Sequence, residues 1–230
     1  MRYTTVLFDA DDTLLDFRRA ETDALRIAFG RHGLPQDGDF VDAYHRINRA
    51  LWDRFNRGEI EKREITETRF VRLFREFSVP LDGIEFNDRY LDCLSQFGYL
   101  MPGADTLCRT LHDAGLSLYT ITNGVGFVQK RRFAASGLAP YFDGVFISED
   151  IGAAKPAKAF FDYVLRHVRE RDPRRILVVG DSLTADVAGG QSAGLDTCWI
   201  DFHHTNTPNG AEHTVRDFRE LLDLLLEEKT

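Results

Sequence analysis

Residues 5–17 read TVLFDADDTLLDF. Val6, Leu7 and Phe8 form an unbroken apolar run, the pattern of a short strand buried on both faces. Three carboxylates, Asp9, Asp11 and Asp12, then arrive within four positions, and apolar residues resume at Leu14 and Leu15. A buried strand that ends in dense negative charge raises the question of what the charge serves. In open parallel sheets the carboxyl ends of the strands are where ligands bind.

Outward from that strand the chain changes character twice. From about 17 to 98 it reads as helix. Phe40, Ala43, Tyr44, Ile47 and Leu51 fall on one helical face, with Asp39 as the expected N-cap and Gly58 as the stop. Phe70, Leu73, Phe74 and Phe77 repeat the pattern and are closed by Val79-Pro80, and Phe86, Tyr90, Leu94 and Phe97 give a further face. With the segment around Ala20 to Phe29, four helices and no strand are expected there. Beyond 99 the texture alternates. LSLYTITN (116–123), GVFIS (144–148), RILVVGD (175–181) and DTCWID (196–201) read as strands, separated by helical patterns such as Phe161, Val164, Leu165 and Val168. DFRELLDLLLEEK (217–229) reads as a last helix. Strands alternating with helices imply βαβ units and a parallel sheet. The expected fold is α/β, a Rossmann-like parallel core over residues 1–16 and 99–230, with an all-helical cap over 17–98 inserted after the first strand.

Composition narrows the function classes. The chain has 230 residues, 43% of them hydrophobic, enough for a substantial core. Lys+Arg number 29 against 37 Asp+Glu, a net charge of −8. Nucleic acids recruit basic surfaces, so that balance argues against DNA or RNA as a partner; a small anionic metabolite needs only a few local positive groups. Cys93, Cys108 and Cys198 are scattered, without CxxC spacing, as buried thiols in a reducing compartment would be. No apolar run approaches the ~18 residues of a membrane span, and the N-terminus lacks the pattern of a leader. A soluble, cytoplasmic protein is expected.

The polar residues at the strand ends form a set. Strand one ends in Asp9-Ala10-Asp11, the next in Thr122-Asn123-Gly124; the loop after the third carries Lys155-Pro156, and the fourth ends in Gly180-Asp181-Ser182, with Asp186 five residues on. In a parallel sheet these ends converge. Clustered Asp oxygens without His or Cys suit a hard cation, Mg²⁺ above all. Lys155 adds a point charge, and Thr122, Asn123 and the backbone amides after them can hold phosphate oxygens. Asp9, at the strand end itself, is the most rigidly held carboxylate and a competent nucleophile toward phosphorus. Asp11 is placed to protonate a leaving alkoxide and then deprotonate water. Asp181 would ligate the metal from across the crevice, and Asp186 would hold metal-bound water or Lys155. Asp12 is expected to cap or solvate the turn.

DADDT, TITNG, AAKP and GDSLTAD resemble, in order, the four motifs of the haloacid dehalogenase-like (HAD) hydrolase superfamily: DxDxT, a strand ending in Ser/Thr, a Lys often followed by Pro, and GDxxxxD. The resemblance implies Asp9 as nucleophile, Asp11 as acid/base, Mg²⁺ held by Asp9, the Asp11 main-chain carbonyl and Asp181, and a phosphoryl group bound by Thr122 and Lys155. The second Asp of the first motif favours phosphomonoesters over the dehalogenase and phosphonatase branches, which resemble it without that residue. RALWDRFNRGEI (49–60), ITNGVGFVQKRRFAASGLAPYFD, ISEDIGAAKP and CWIDFHH are further similar to bacterial nucleoside 5′-monophosphatases of the YjjG type, which implies a pyrimidine nucleotide such as UMP, dUMP or dTMP as substrate. A sugar-phosphate or phosphoglycolate phosphatase, or a mutase, is the alternative within the same superfamily. Outside it, a receiver-like binding module would carry its acidic residue midway along a shorter chain, and a retired scaffold would have lost part of the Asp9, Asp11, Lys155, Asp181 set.

Other features have blander readings. Trp52 and Phe55 fit the core of the helical segment; the sharper expectation is that Trp52 stacks on a pyrimidine base. Lys130-Arg131-Arg132 reads as a solvated helix face, and His203-His204 as loop.

Overall fold

In the computed structural model, residues 1–205 and 207–226 are described. Strand β1 (Thr5–Asp9) is followed by helices α1 (Phe17–Gly30), α2 (Gly38–Asn56), α3 (Lys62–Glu76) and α4 (Gly83–Leu94). After these come α5 (Ala104–Asp113), β2 (Ser117–Thr122), α6 (Gly126–Ser136), β3 (Gly144–Ile147), α7 (Ser148–Ile151) and α8 (Lys158–His167). The chain continues with β4 (Ile176–Gly180), a π-helical turn (Leu183–Ala188) that runs into α9 (Gly189–Ser192), then β5 (Asp196–Ile200), β6 (His213–Val215) and α10 (Phe218–Leu226). The end of the helix expected to reach residue 229 lies outside the described residues.

Two compact units result, Met1–Phe17 with Gly98–Thr230, and Arg18–Phe97. The first is built on a six-stranded, wholly parallel sheet in the order β3-β2-β1-β4-β5-β6. Strand β1 lies in its middle because Val6, Leu7 and Phe8 are apolar on both faces and fully buried. Val6 and Phe8 join Leu107, Leu111, Leu177, Val179 and Leu221 on one side; Leu7 joins Phe160, Phe161, Val164 and Val178 on the other. The connections fill one half of the sheet through β2 and β3 and then cross to β4, so the switch in direction falls beside β1, where open α/β sheets place their crevice.

The second unit consists of the four expected helices. Its interior is aromatic: the Phe70 ring centroid lies 4.8 Å from Phe86 and 5.3 Å from Tyr90, and Phe29 lies 5.1 Å from Phe40. Burying each such ring stabilises by roughly 1.5–3 kcal/mol. Asp82 caps α4 by accepting from the Ile84 and Glu85 amides at 2.8 and 3.0 Å.

Two local expectations are corrected. Helix α2 starts at Gly38 behind Asp37, one residue before Asp39, and Asp37 makes no side-chain cap bond. Strand β6 went unread because three residues, HTV, are too few to show period-two alternation. Among the described residues no helix is long and apolar enough to cross a membrane.

Candidate active site

The site forms at the carboxyl edge of the sheet, where β1 pairs with β2 (Asp9 opposite Ile121) and with β4 (Phe8 opposite Val179). Pairing with β2 at Asp9 itself, and with β4 up to Phe8, holds the backbone of Asp9 in place. Immediately beyond it the chain folds back on itself: the Leu14 and Leu15 amides both donate to the Ala10 carbonyl at 3.0 and 2.8 Å, and the Asp12 amide donates to Leu15 at 2.8 Å. Asp12 sits at φ +57°, a left-handed conformation that Asp tolerates better than most residues.

Lys155 is the hub. It is 2% exposed, and its Nζ donates to Asp9 Oδ1 at 2.6 Å, Asp186 Oδ1 at 2.6 Å and the Ile121 carbonyl at 3.0 Å. Its backbone is stapled to β2 by Asn123, whose side-chain amide donates to the Lys155 carbonyl at 2.8 Å and whose Oδ1 accepts from the Lys155 amide at 2.9 Å. The Asn123 side chain, expected to face phosphate, is therefore engaged in placing the lysine. Asp186 is fixed in turn by the Ser182 amide, which donates to its Oδ2 at 3.1 Å. Gly180 is required here, since a Cβ at that position would run into the Asp186 carboxylate.

Carboxylate oxygens of Asp9, Asp181 and Asp186 lie within 4.8 Å of one another. Trp199 Nε1 donates to the Asp181 carbonyl at 2.8 Å and so anchors the fourth strand end. Three carboxylates facing one ammonium leave unmatched negative charge. Burial, followed by the charge of Asp186, pushes the Asp9 carboxyl up to about 7 against the pull of Lys155. Asp181 is pushed up to about 8 by the protein packed around it and by the charges of Asp9 and Asp186, although its own side chain reaches solvent. For Lys155 burial works against the ammonium, but Asp186 and Asp9 override it and raise its pKa. The donor set is all oxygen, the separations are short, and the charge is in excess; these residues fit a hard divalent cation.

Thr122 is buried at the end of β2, and its Oγ1 accepts from the Gly124 amide at 3.0 Å, which leaves the hydroxyl proton to donate. Two further residues, not anticipated as part of the site, come from α6: Gln129 Nε2 and Arg132 Nη1 each make a short bond to one oxygen of Asp11. The expectation of a solvated face is thus corrected for Arg132, which is fully buried, while Lys130 and Arg131 are exposed. The sequence did hold a trace of this. Gln129 and Arg132 are spaced i, i+3 between the apolar Val128 and Phe133, so one face of α6 could be read as buried with both polar groups on it.

Asp9, Asp11, Thr122, Asn123, Lys155, Asp181 and Asp186 all belong to the α/β unit. Trp52 belongs to the helical unit, where it is half-buried with its ring edge-on to Phe55 at 5.5 Å. His203 and His204 lie in the loop after β5.

The comparisons with known proteins bear on this arrangement. The family model described as haloacid dehalogenase-like hydrolase matches residues 3–194. A putative HAD-hydrolase, YfnB, of Bacillus subtilis is 40% identical over the whole of this chain and 98% of its own. Its crystal structure, bound to magnesium, superposes with a TM-score of 0.92 at 39% identity, covering 99% of this chain and 100% of that one. The pyrimidine 5′-nucleotidases PynA of Streptococcus pneumoniae and YjjG of Escherichia coli are 39% and 32% identical, each over 98% of this chain and over 96% and 99% of their own.

Proposed function

The chain belongs to the haloacid dehalogenase-like hydrolases, and on that footing we propose that it is a Mg²⁺-dependent phosphatase that hydrolyses pyrimidine nucleoside 5′-monophosphates through an aspartyl-phosphate. The observation that carries the reading is the Asp9–Lys155–Asp186 chain at the sheet edge, with Asp181 across from it and a second carboxylate, Asp11, two residues from the nucleophile. The names of PynA and YjjG support the choice of nucleotide.

Asp9 attacks phosphorus. Lys155, already in contact with Asp9 and fixed by Asn123, offers its ammonium to the equatorial phosphoryl oxygens, and Thr122 offers its hydroxyl proton. Asp11 gives a proton to the departing 5′-oxygen; it then takes one from the water that hydrolyses the intermediate, so one group serves both half-reactions. General acid–base assistance of this kind is worth roughly 10²–10⁴-fold. Asp9, Asp181 and the Asp11 carbonyl are the groups that would hold Mg²⁺, with Asp186 behind them on Lys155, and the ion when bound would supply charge neutralisation at the phosphoryl oxygens. Trp52 is the aromatic side chain proposed to stack on the base. The three free, buried thiols support a cytoplasmic location.

A substrate panel tests the proposal. Phosphate release from UMP, dUMP and dTMP is expected to exceed that from phosphoglycolate and hexose phosphates, and to stop with EDTA and return with Mg²⁺. A preference for the sugar phosphates would overturn the nucleotide reading, and release indifferent to EDTA would overturn the metal.

A further inference from the structure

We propose that Gln129 and Arg132 of α6 are positioning residues that hold the Asp11 carboxyl group, through both of its oxygens, in the orientation its proton transfers require. The inference rests on the acid/base reading of Asp11 above.

Asp9 and Asp11 are held in different ways. Asp9 is fixed by a strand paired on two sides. Asp11 lies beyond the strand end, on the turn, with its side chain 27% exposed, and backbone pairing does nothing to select its rotamer. Proton transfer needs the carboxyl oxygen at hydrogen-bond distance from its target, and misplacement by about 1 Å can cost about 10²-fold. α6 provides the missing constraint: Gln129 Nε2 on Oδ2 and Arg132 Nη1 on Oδ1. An ionised carboxylate offers about four lone-pair sites, so one donor on each oxygen still leaves sites for the leaving-group oxygen or for water.

The surroundings are built for this contact. Arg132 is the largest of the fully buried side chains, and burial of a guanidinium is expensive unless it is paired. Besides Asp11 it has the ring of Phe17, whose centroid lies 5.4 Å from the guanidinium carbon. Gly124 leaves room for Gln129, because a Cβ there would collide with its side-chain amide. The loop that carries Thr122 therefore leads directly into the helix that orients Asp11. One segment, 122–132, sets both the phosphoryl hydroxyl and the proton donor.

A contact that only pinned α6 to the turn would matter equally for every substrate. A contact that orients an acid matters in proportion to how much the leaving group needs a proton. The experiment compares kcat/KM, which reports the step that expels the leaving group, for the best alkyl phosphomonoester of the panel and for p-nitrophenyl phosphate, whose leaving group departs without protonation. Gln129→Met, Arg132→Lys and Arg132→Met are measured beside Asp11→Asn, with circular dichroism as the folding control. Gln129→Met and Arg132→Lys are expected to lower kcat/KM on the alkyl ester roughly 10–100-fold and to leave p-nitrophenyl phosphate far less affected, reproducing the selectivity of Asp11→Asn. Equal losses on both substrates, or no loss on the alkyl ester, would overturn the inference while Asp11→Asn still discriminates. If Asp11→Asn itself fails to discriminate, the acid/base reading falls first and this inference falls with it. Should Arg132→Met not fold, Gln129→Met decides, since it keeps the guanidinium in place.

Discussion

Both units bury charge, but they do so to opposite effect. In the helical unit Glu21 accepts from the Tyr44 hydroxyl at 3.1 Å and from the Asn48 amide at 3.2 Å, and Arg69 donates to Asn87 at 2.8 Å and to Asn48 at 3.3 Å. The Arg69 guanidinium also lies over the Tyr90 ring at 4.8 Å. Glu21 and Arg69 are joined through the neutral Asn48, and His45 Nδ1 lies 3.4 Å from the other Glu21 oxygen, so the anion is matched by neighbours of opposite or no charge. At the sheet edge Asp9, Asp181 and Asp186 share the one ammonium of Lys155 among the described residues, and the carboxyls of Asp9 and Asp181 are pushed up to about 7 and 8. Buried charge by itself is thus a poor sign of a site. Buried charge of one sign, in excess and sharing an edge, is a good one, because only a ligand of opposite sign completes it.

The sharpest way to break that comparison is at Asp9. Asp9→Asn keeps the shape and removes the nucleophile, and phosphate release is expected to fall on the order of 10⁴-fold or more, measured with Mg²⁺ on protein whose circular dichroism is unchanged. Retention of even about a hundredth of the activity would mean that the cluster serves something else.

In the helical unit the expected loss is of stability. Arg69→Met removes the donors to the buried Asn48 and Asn87 oxygens and should lower the unfolding free energy by about 1–3 kcal/mol, read from the urea midpoint, while turnover of p-nitrophenyl phosphate per folded molecule is retained. A variant of normal stability and lost turnover would erase the distinction between the two clusters.

The third test uses pH. Asp9 and Asp181 hold their protons in the folded state to about 7 and 8, against the ordinary 3.8. A raised carboxyl contributes stability at low pH that is lost as pH rises through the folded value, since the unfolded chain gives up its proton first. The metal-free protein should lose stability between pH 5 and 8, mainly through the buried Asp9, since solvent screens the exposed Asp181, seen as a falling Tm. A bound cation takes the deprotonated form, so the Tm increase given by Mg²⁺ should be larger at pH 8 than at pH 5. Lys155, raised from an already high value, contributes evenly across that window. A Tm that climbs from pH 5 to 8 without metal would show that the excess charge is not felt.

The convergence of Asp9, Thr122 and Asp181 was legible because each lies at the end of a strand's apolar run, and a parallel sheet brings such ends together without further instruction; Asp11 and Lys155 lie on the turn and the loop beyond those ends. Asn123 was legible as a residue of the site but not in what its side chain does, since its partner is the backbone of Lys155, 32 positions away. Arg132 was misread for a similar reason. A helix face shows its periodicity locally, but Lys130-Arg131-Arg132 gives no local sign of which cation turns inward, and the carboxylate that draws it in is 121 residues distant.

What the sequence determined by itself is the part governed by short-range physics: strand β1 from its apolar run, the helical stretch from its period, and the order of polar groups at successive strand ends. Tertiary structure decided which charges face one another. Asp9 meets Lys155, Asp11 meets Gln129 and Arg132, and Glu21 and Arg69 share Asn48. Each of these partnerships exists because side chains too costly to bury alone are brought within hydrogen-bond reach by packing, and packing is a property of the folded chain rather than of any stretch of it.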